Sequence, residues 1–284
     1  MLAAVPYPDP WRFQAHVEVW LLTIFLVLAY VYVVKVLGPR VVGPGATVVT
    51  GRQKLAFAAG ILTLWLASDW PVHDVAEEYL YSVHMVQHMA LTYFMPPLVL
   101  LATPEWFARL LIGEGRVYRA VMTLSRPIVA AVLFNVGVMV SHVPGVVNTS
   151  VSNGSLHYMV HVLLVMTALA MWMPVCGPLP EAHIGPMAKM VYLFANSVVA
   201  IIPAAWLTFA EGAVYSEYDQ PVRVWGLSIT DDQQLAGAIM KAGGSIFLWT
   251  IIVVLFVRRF GRPFREENAH SLRREPTREL EHSA

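Results

Sequence analysis

Seven stretches of this chain are apolar over a length that suits a bilayer crossing, at about 17–37, 53–70, 83–103, 127–143, 155–175, 187–209 and 234–257. A spanning helix needs about 20 predominantly apolar residues, and polar residues gather in the short intervals between these windows. The pattern predicts an all-α polytopic membrane protein, with seven transmembrane helices forming one domain over residues 1–260. The segment from Pro104 to Arg126 is different: Trp106, Phe107, Leu110 and Leu111 beside Arg109 read as a helix lying in the interface. Residues 261–284 read as a disordered basic cytoplasmic tail.

Composition agrees with that class. Charged residues make up 13% of the 284 positions, apolar ones 57%, and the mean hydropathy is +0.58. A soluble domain carries roughly 25% charged residues. Only Asp9 and Arg12 are charged before position 18, so no basic region precedes the first apolar run, which reads as a retained anchor and not a cleaved signal peptide.

Lys and Arg accumulate on the cytoplasmic side of short loops. With seven spans, sixteen of the nineteen fall on one side, including seven arginines from Arg258 to Arg278, against Arg12, Arg223 and Lys241 on the other. The expected orientation has the N-terminus outside and the C-terminus in the cytoplasm, in a cell (inner) membrane. Arg258, Arg259, Arg262 and Arg265 are suited to anionic lipid headgroups.

That orientation gathers histidines toward the outer face. His84 and His88 open the third window, His142 ends the fourth, and His157 and His161 open the fifth. Each HxxxH pair aims two imidazoles the same way, because positions i and i+4 share a helix face. Ionisable side chains inside a bilayer are costly and mark a functional site by default. His84 and His88 share a stripe with Met95, while Met85 and Met89 form a second one; imidazole with thioether suits copper. On the seventh window Asp232, Ala236 and Met240 recur every four residues, offering an acid and a thioether as ligand or supporting acceptor. The bland alternatives are that Asp232 caps a helix, that the methionines are packing filler, and that His16 and His73 are singly hydrogen-bonded interfacial residues.

Absences narrow the chemistry. The single cysteine, Cys176, sits at the cytoplasmic end of the fifth window, so a CxxC redox or copper pair is excluded. The chain has no HExxH, no GxSxG and no phosphate-binding glycine loop. It is not expected to be an enzyme or to bind nucleic acid.

The runs HMVQHMALTYFMPPLVLLATP at 84–104, HVPGVV from His142, HYMVHVLLVMTALAMWMPVCGPLP at 157–180 and DDQQLAGAIM at 231–240 resemble the CtaG family of membrane proteins, assembly factors for bacterial cytochrome c oxidase of the aa-type. The similarity covers roughly positions 20–258. This family is distinct from the single-span copper chaperone of the same name. The resemblance implies a seven-helix protein that matures the oxidase by delivering copper to one of its centres, with oxidase subunits as partners. The family's histidine blocks match His84, His88, His142, His157 and His161, and its DQQ block matches Asp232, Gln233 and Gln234. Two positions depart from the pattern: Ser141 stands where a tryptophan is expected, and Lys241 follows Met240 where an aromatic is common.

Together these readings predict that copper, preferred as Cu(I), is held outside by His84, His88, His157 and His161, with His142, Met85, Met89, Met240 and Asp232 as further candidate ligands. Three rivals stand beside it: a haem-binding electron-transfer protein, a copper transporter, and an assembly scaffold that binds no metal. Two histidines per helix fit axial haem ligation poorly. A transporter needs polar groups continuing inward, and only Thr92, Asn135, Asn196 and Ser197 offer themselves.

Overall fold

The computed structural model describes residues 9–199 and 201–274, with side chains described as far as Gly261. Among the described residues the regular structure is helical, with no strand. Five helices are long and apolar enough to cross a membrane: Val17–Val42, Tyr81–Ala102, Gly154–Cys176, Pro186–Thr208 and Ile229–Gly261. Two bent pairs bring the number to as many as seven: Gly51–Ser68 with Val72–Glu78, bent by 44°, and Arg116–Leu124 with Pro127–Ser141, bent by 71°. The chain is a multi-pass membrane protein, and in chain order Gly51–Ser68 is its second apolar helix and Pro127–Ser141 its fourth.

The fourth helix is short for a physical reason. Its 15 residues rise about 22 Å at 1.5 Å each, less than the roughly 30 Å hydrocarbon core. Pro127 starts it and His142 ends it, and Pro144 immediately begins another helix, Pro144–Val151. The segment read as one interfacial helix divides into Glu105–Ile112 and Arg116–Leu124. Gly113 parts them at φ +62°, a left-handed conformation that glycine adopts at little cost. The seventh helix runs on to Arg274, into the segment expected to be disordered, and residues 275–284 of that expected tail lie outside the described residues.

Large apolar side chains such as Phe25, Leu28, Leu55, Leu62, Ile128, Val136, Leu163 and Val253 are exposed on the helix flanks, where a bilayer covers them. The seventh helix packs against the third and sixth, the fifth against the third and fourth, and the second against the third. The first helix is peripheral: none of Val17–Tyr32 is buried, and Tyr30 stacks on Phe57 with ring centroids 3.7 Å apart.

The sixth and seventh helices approach so closely that Gly237 has no room for a side chain. A Cβ there would lie 2.7 Å from the Ala204 carbonyl oxygen and 2.7 Å from the Thr208 nitrogen, both backbone atoms that cannot rotate away. Close backbone approach at small residues is how membrane helices gain packing contact. Gly237→Ala is expected to destabilise the bundle by about 1–3 kcal/mol through overpacking. Thermal unfolding in detergent measures this, and an unchanged midpoint would show that the pair slides apart freely.

Inside the bundle, Phe134, Met171, Trp172, Leu193 and Leu248 form the core of the half that lies away from the histidines. The third helix carries a π turn at Ala90–Phe94, where the Thr92 hydroxyl donates to the His88 carbonyl at 2.6 Å and Trp172 Nε1 donates to the Thr92 carbonyl at 3.3 Å. Those side chains serve carbonyls that a widened turn leaves less well bonded.

Candidate metal centre

Alternation of direction brings the starts of the third, fifth and seventh helices to the same end as the finish of the fourth. His84, His88, His142, His157 and His161 therefore meet. The ring centroids of His84 lie 4.3 Å from His88, 5.5 Å from His157 and 5.4 Å from His161, and those of His157 and His161 are 4.5 Å apart. His88 is 4.7 Å from His161 and 6.3 Å from His142.

An acid that sequence reasoning missed completes the group. Glu77 closes the short helix Val72–Glu78, and its carboxylate lies 2.7 Å from His157 Nε2 and 3.3 Å from His84 Nδ1. One donor atom each from Glu77, His84, His157 and His161 falls within 4.8 Å of all the others. Distance is satisfied here but hydrogen-bond direction is not: Glu77 Oε1, His84 Nδ1, both His157 nitrogens, His161 Nε2 and His88 Nε2 are buried without a hydrogen bond among the described residues. Leaving a buried polar atom unmet costs about 1–3 kcal/mol, and such atoms in a native structure need a cause. A carboxylate and three imidazoles converging on one point form a donor set that suits a transition-metal ion.

The other expected ligands divide. Met85 reaches the cluster, with Sδ 3.5 Å from His142 Nε2. Met89 packs instead toward Gly243 and Gly244, Met240 joins Tyr81 and Tyr215 in an apolar cluster, and Met95 packs with Ala67 and Leu91. Asp232 is used elsewhere: one carboxylate oxygen accepts from Tyr81 N at 2.8 Å and the other from Ser82 N at 3.0 Å. These are among the first four N–H groups of the third helix, which have no partner within it. Asp232 thus caps a neighbouring helix, an option close to the capping alternative. Lys241 is exposed, and no ion pair joins it to Asp232 among the described residues.

The rest of the DDQQ run builds the wall around the centre. Gln233 accepts from Val214 N at 2.8 Å and donates to the Tyr215 carbonyl at 2.9 Å, while Gln234 donates to the Ala210 carbonyl at 3.0 Å. This holds the loop after the sixth helix over the cluster. Tyr215 OH then donates to the His142 carbonyl at 2.9 Å, Tyr218 OH to the Ala76 carbonyl at 3.2 Å, and Tyr81, Tyr215 and Tyr218 lie against one another, all fully buried.

His16 and His73 flank the centre. His16 Nε2 lies 3.2 Å from both oxygens of Asp74, and His73 Nδ1 accepts from Gln87 Nε2 at 3.2 Å. Deeper in the bundle, Asn135 donates to Asn196 at 2.8 Å, Asn196 to the Tyr192 carbonyl at 2.8 Å and Ser197 to the Phe194 carbonyl at 2.7 Å. Those polar groups spend their donors on one another and on backbone.

Set against known families, residues 28–261 match the family model described as cytochrome c oxidase caa3 assembly factor. Comparison with curated proteins and with solved structures finds no match.

Proposed function

Because the chain belongs to the cytochrome c oxidase caa3 assembly-factor family, we propose that it takes up copper at Glu77, His84, His157 and His161 and passes it to a subunit of the maturing oxidase. The observation that carries this reading is the convergence of buried donor atoms of Glu77, His84, His157 and His161 that meet no well-directed hydrogen bond among the described residues. In it the cluster faces outward across the cell membrane, with the N-terminus outside and the tail inside, as the sixteen-to-three division of Lys and Arg supports. Copper is cargo, so no bond of a substrate is made or broken and the protein is not an enzyme. Neutral imidazoles bind the ion, the carboxylate offsets part of its charge, and the tyrosine-lined loop keeps water from competing. Arg258 and Arg259 meet anionic lipid on the inner side.

The test is metal content and visible spectrum of the detergent-purified protein, loaded under reducing conditions and stripped of loose ions, beside a variant carrying His84→Ala and His157→Ala. Copper bound by the parent, with about one equivalent less of it in the variant, is the expected result. Absence of copper from both would leave a metal-free scaffold, and a strong haem band would make the protein a cytochrome.

A further inference from the structure

His142 and Met85 stand apart from the Glu77 group, and their contact is unusual. His142 Nδ1 lies 2.7 Å from the Val138 carbonyl oxygen and 3.2 Å from Ser141 Oγ. The Ser141 hydroxyl already donates to that carbonyl at 2.8 Å. A carbonyl oxygen only accepts, and the hydroxyl has spent its one proton, so Nδ1 must carry the imidazole hydrogen. Nε2 is then a bare lone pair. It points to Met85 Sδ at 3.5 Å, and a thioether is an acceptor too. Two acceptors face each other where both side chains are buried, His142 being 4% exposed and Met85 1%. A third ring nitrogen lies nearby: His88 Nε2 is buried without a hydrogen bond among the described residues, and its ring is 6.3 Å from that of His142.

We propose that Met85 Sδ, His142 Nε2 and His88 Nε2 form a second metal site, selective for a soft monovalent d10 ion such as Cu(I), beside the carboxylate site. With metal–nitrogen and metal–sulfur bonds of about 2.0 and 2.3 Å, two ligands at a tetrahedral angle stand about 3.5 Å apart, which is the separation of His142 Nε2 and Met85 Sδ. The donors are all neutral. The desolvation cost of an ion rises with the square of its charge, so a buried neutral set favours a singly charged ion, and sulfur favours a soft one. The Glu77 site, with an anionic oxygen, favours the divalent state. His88 lies 4.3 Å from His84 and 4.7 Å from His161, ring to ring, so an ion can pass between the sites by exchanging one imidazole at a time. The proposal rests on the cluster taking metal, but not on which oxidase centre receives it.

The full-length protein in detergent is titrated anaerobically with Cu(I) against a chelator, and X-ray absorption is recorded on the loaded parent, Met85→Leu and Glu77→Gln. Two equivalents are expected in the parent, with a sulfur shell at about 2.3 Å. Met85→Leu should bind one equivalent and lose the sulfur shell; Glu77→Gln should keep it. One equivalent in the parent without sulfur overturns this site and leaves the first standing. A sulfur shell that survives Met85→Leu also overturns it, by assigning the thioether elsewhere. A single sulfur-bound equivalent untouched by Glu77→Gln supports this site and shows that the Glu77 site does not hold Cu(I), and no binding in any sample overturns this site.

Discussion

Glu77→Gln is expected to weaken the binding of a divalent ion, Cu(II) or Zn(II), at the histidine cluster by at least about 100-fold. Loss of a partner that merely orients a ligand costs 10–100-fold, and Glu77 sits closer than that, within 4.8 Å of every other donor. It is also the only anion of the group. With the carboxylate present a divalent ion leaves a net charge of +1 in the buried site; with the amide it leaves +2, whose desolvation cost is several times larger. Competition with a chromophoric chelator measures the change. A loss of less than about threefold would reduce Glu77 to an ion-pair partner of His84 and His157. Affinity in the parent is further expected to fall on acidification, because each imidazole must be free of its proton to bind.

Asp232→Ala is expected to cost stability and spare the metal. Its two oxygens accept from Tyr81 N and Ser82 N, and hydrogen bonds to a charged acceptor contribute about 1.5–3 kcal/mol each. Water cannot easily replace them, since Asp232 is 3% exposed. The expected loss is about 3–6 kcal/mol by this reckoning, read as a lower unfolding midpoint in detergent, with copper per folded protein close to that of the parent. A variant of normal stability that fails to bind copper would return Asp232 to the ligand set.

These two residues show where the sequence was legible. Hydropathy placed the apolar helices well, because a bilayer imposes one length and one polarity on every span. The HxxxH pairs declared a shared face, and helix alternation put them at one end. Glu77 escaped because Val72–Glu78 is seven residues long, too short to show a periodic face, and so passed for a loop. Its signal was the spacing of His73 and Glu77, four apart. Asp232 was assigned to a stripe with Met240 on its own helix, whereas its partners lie 151 and 150 residues away in the chain. Local spacing carries no trace of such a pairing. The methionines were ambiguous for a third reason. Met85 and Met89 share a stripe, yet only Met85 meets an imidazole, because the stripe runs inward past the end of His142 and Met89 reaches the glycines of the seventh helix.

The cap supplied by Asp232 also sets an order in time. Every histidine of the cluster, with Glu77 and Met85, has left the ribosome before residue 229 is made, but the start of the third helix waits 151 residues for its acceptor. At roughly 5–20 residues per second that delay is on the order of ten to thirty seconds. During it the donors are in the membrane while the N-terminal turn that carries His84 is uncapped and the loop over the cluster lacks Gln233. A nascent chain therefore holds the ingredients of the centre before the helix that begins at Ile229 closes its wall.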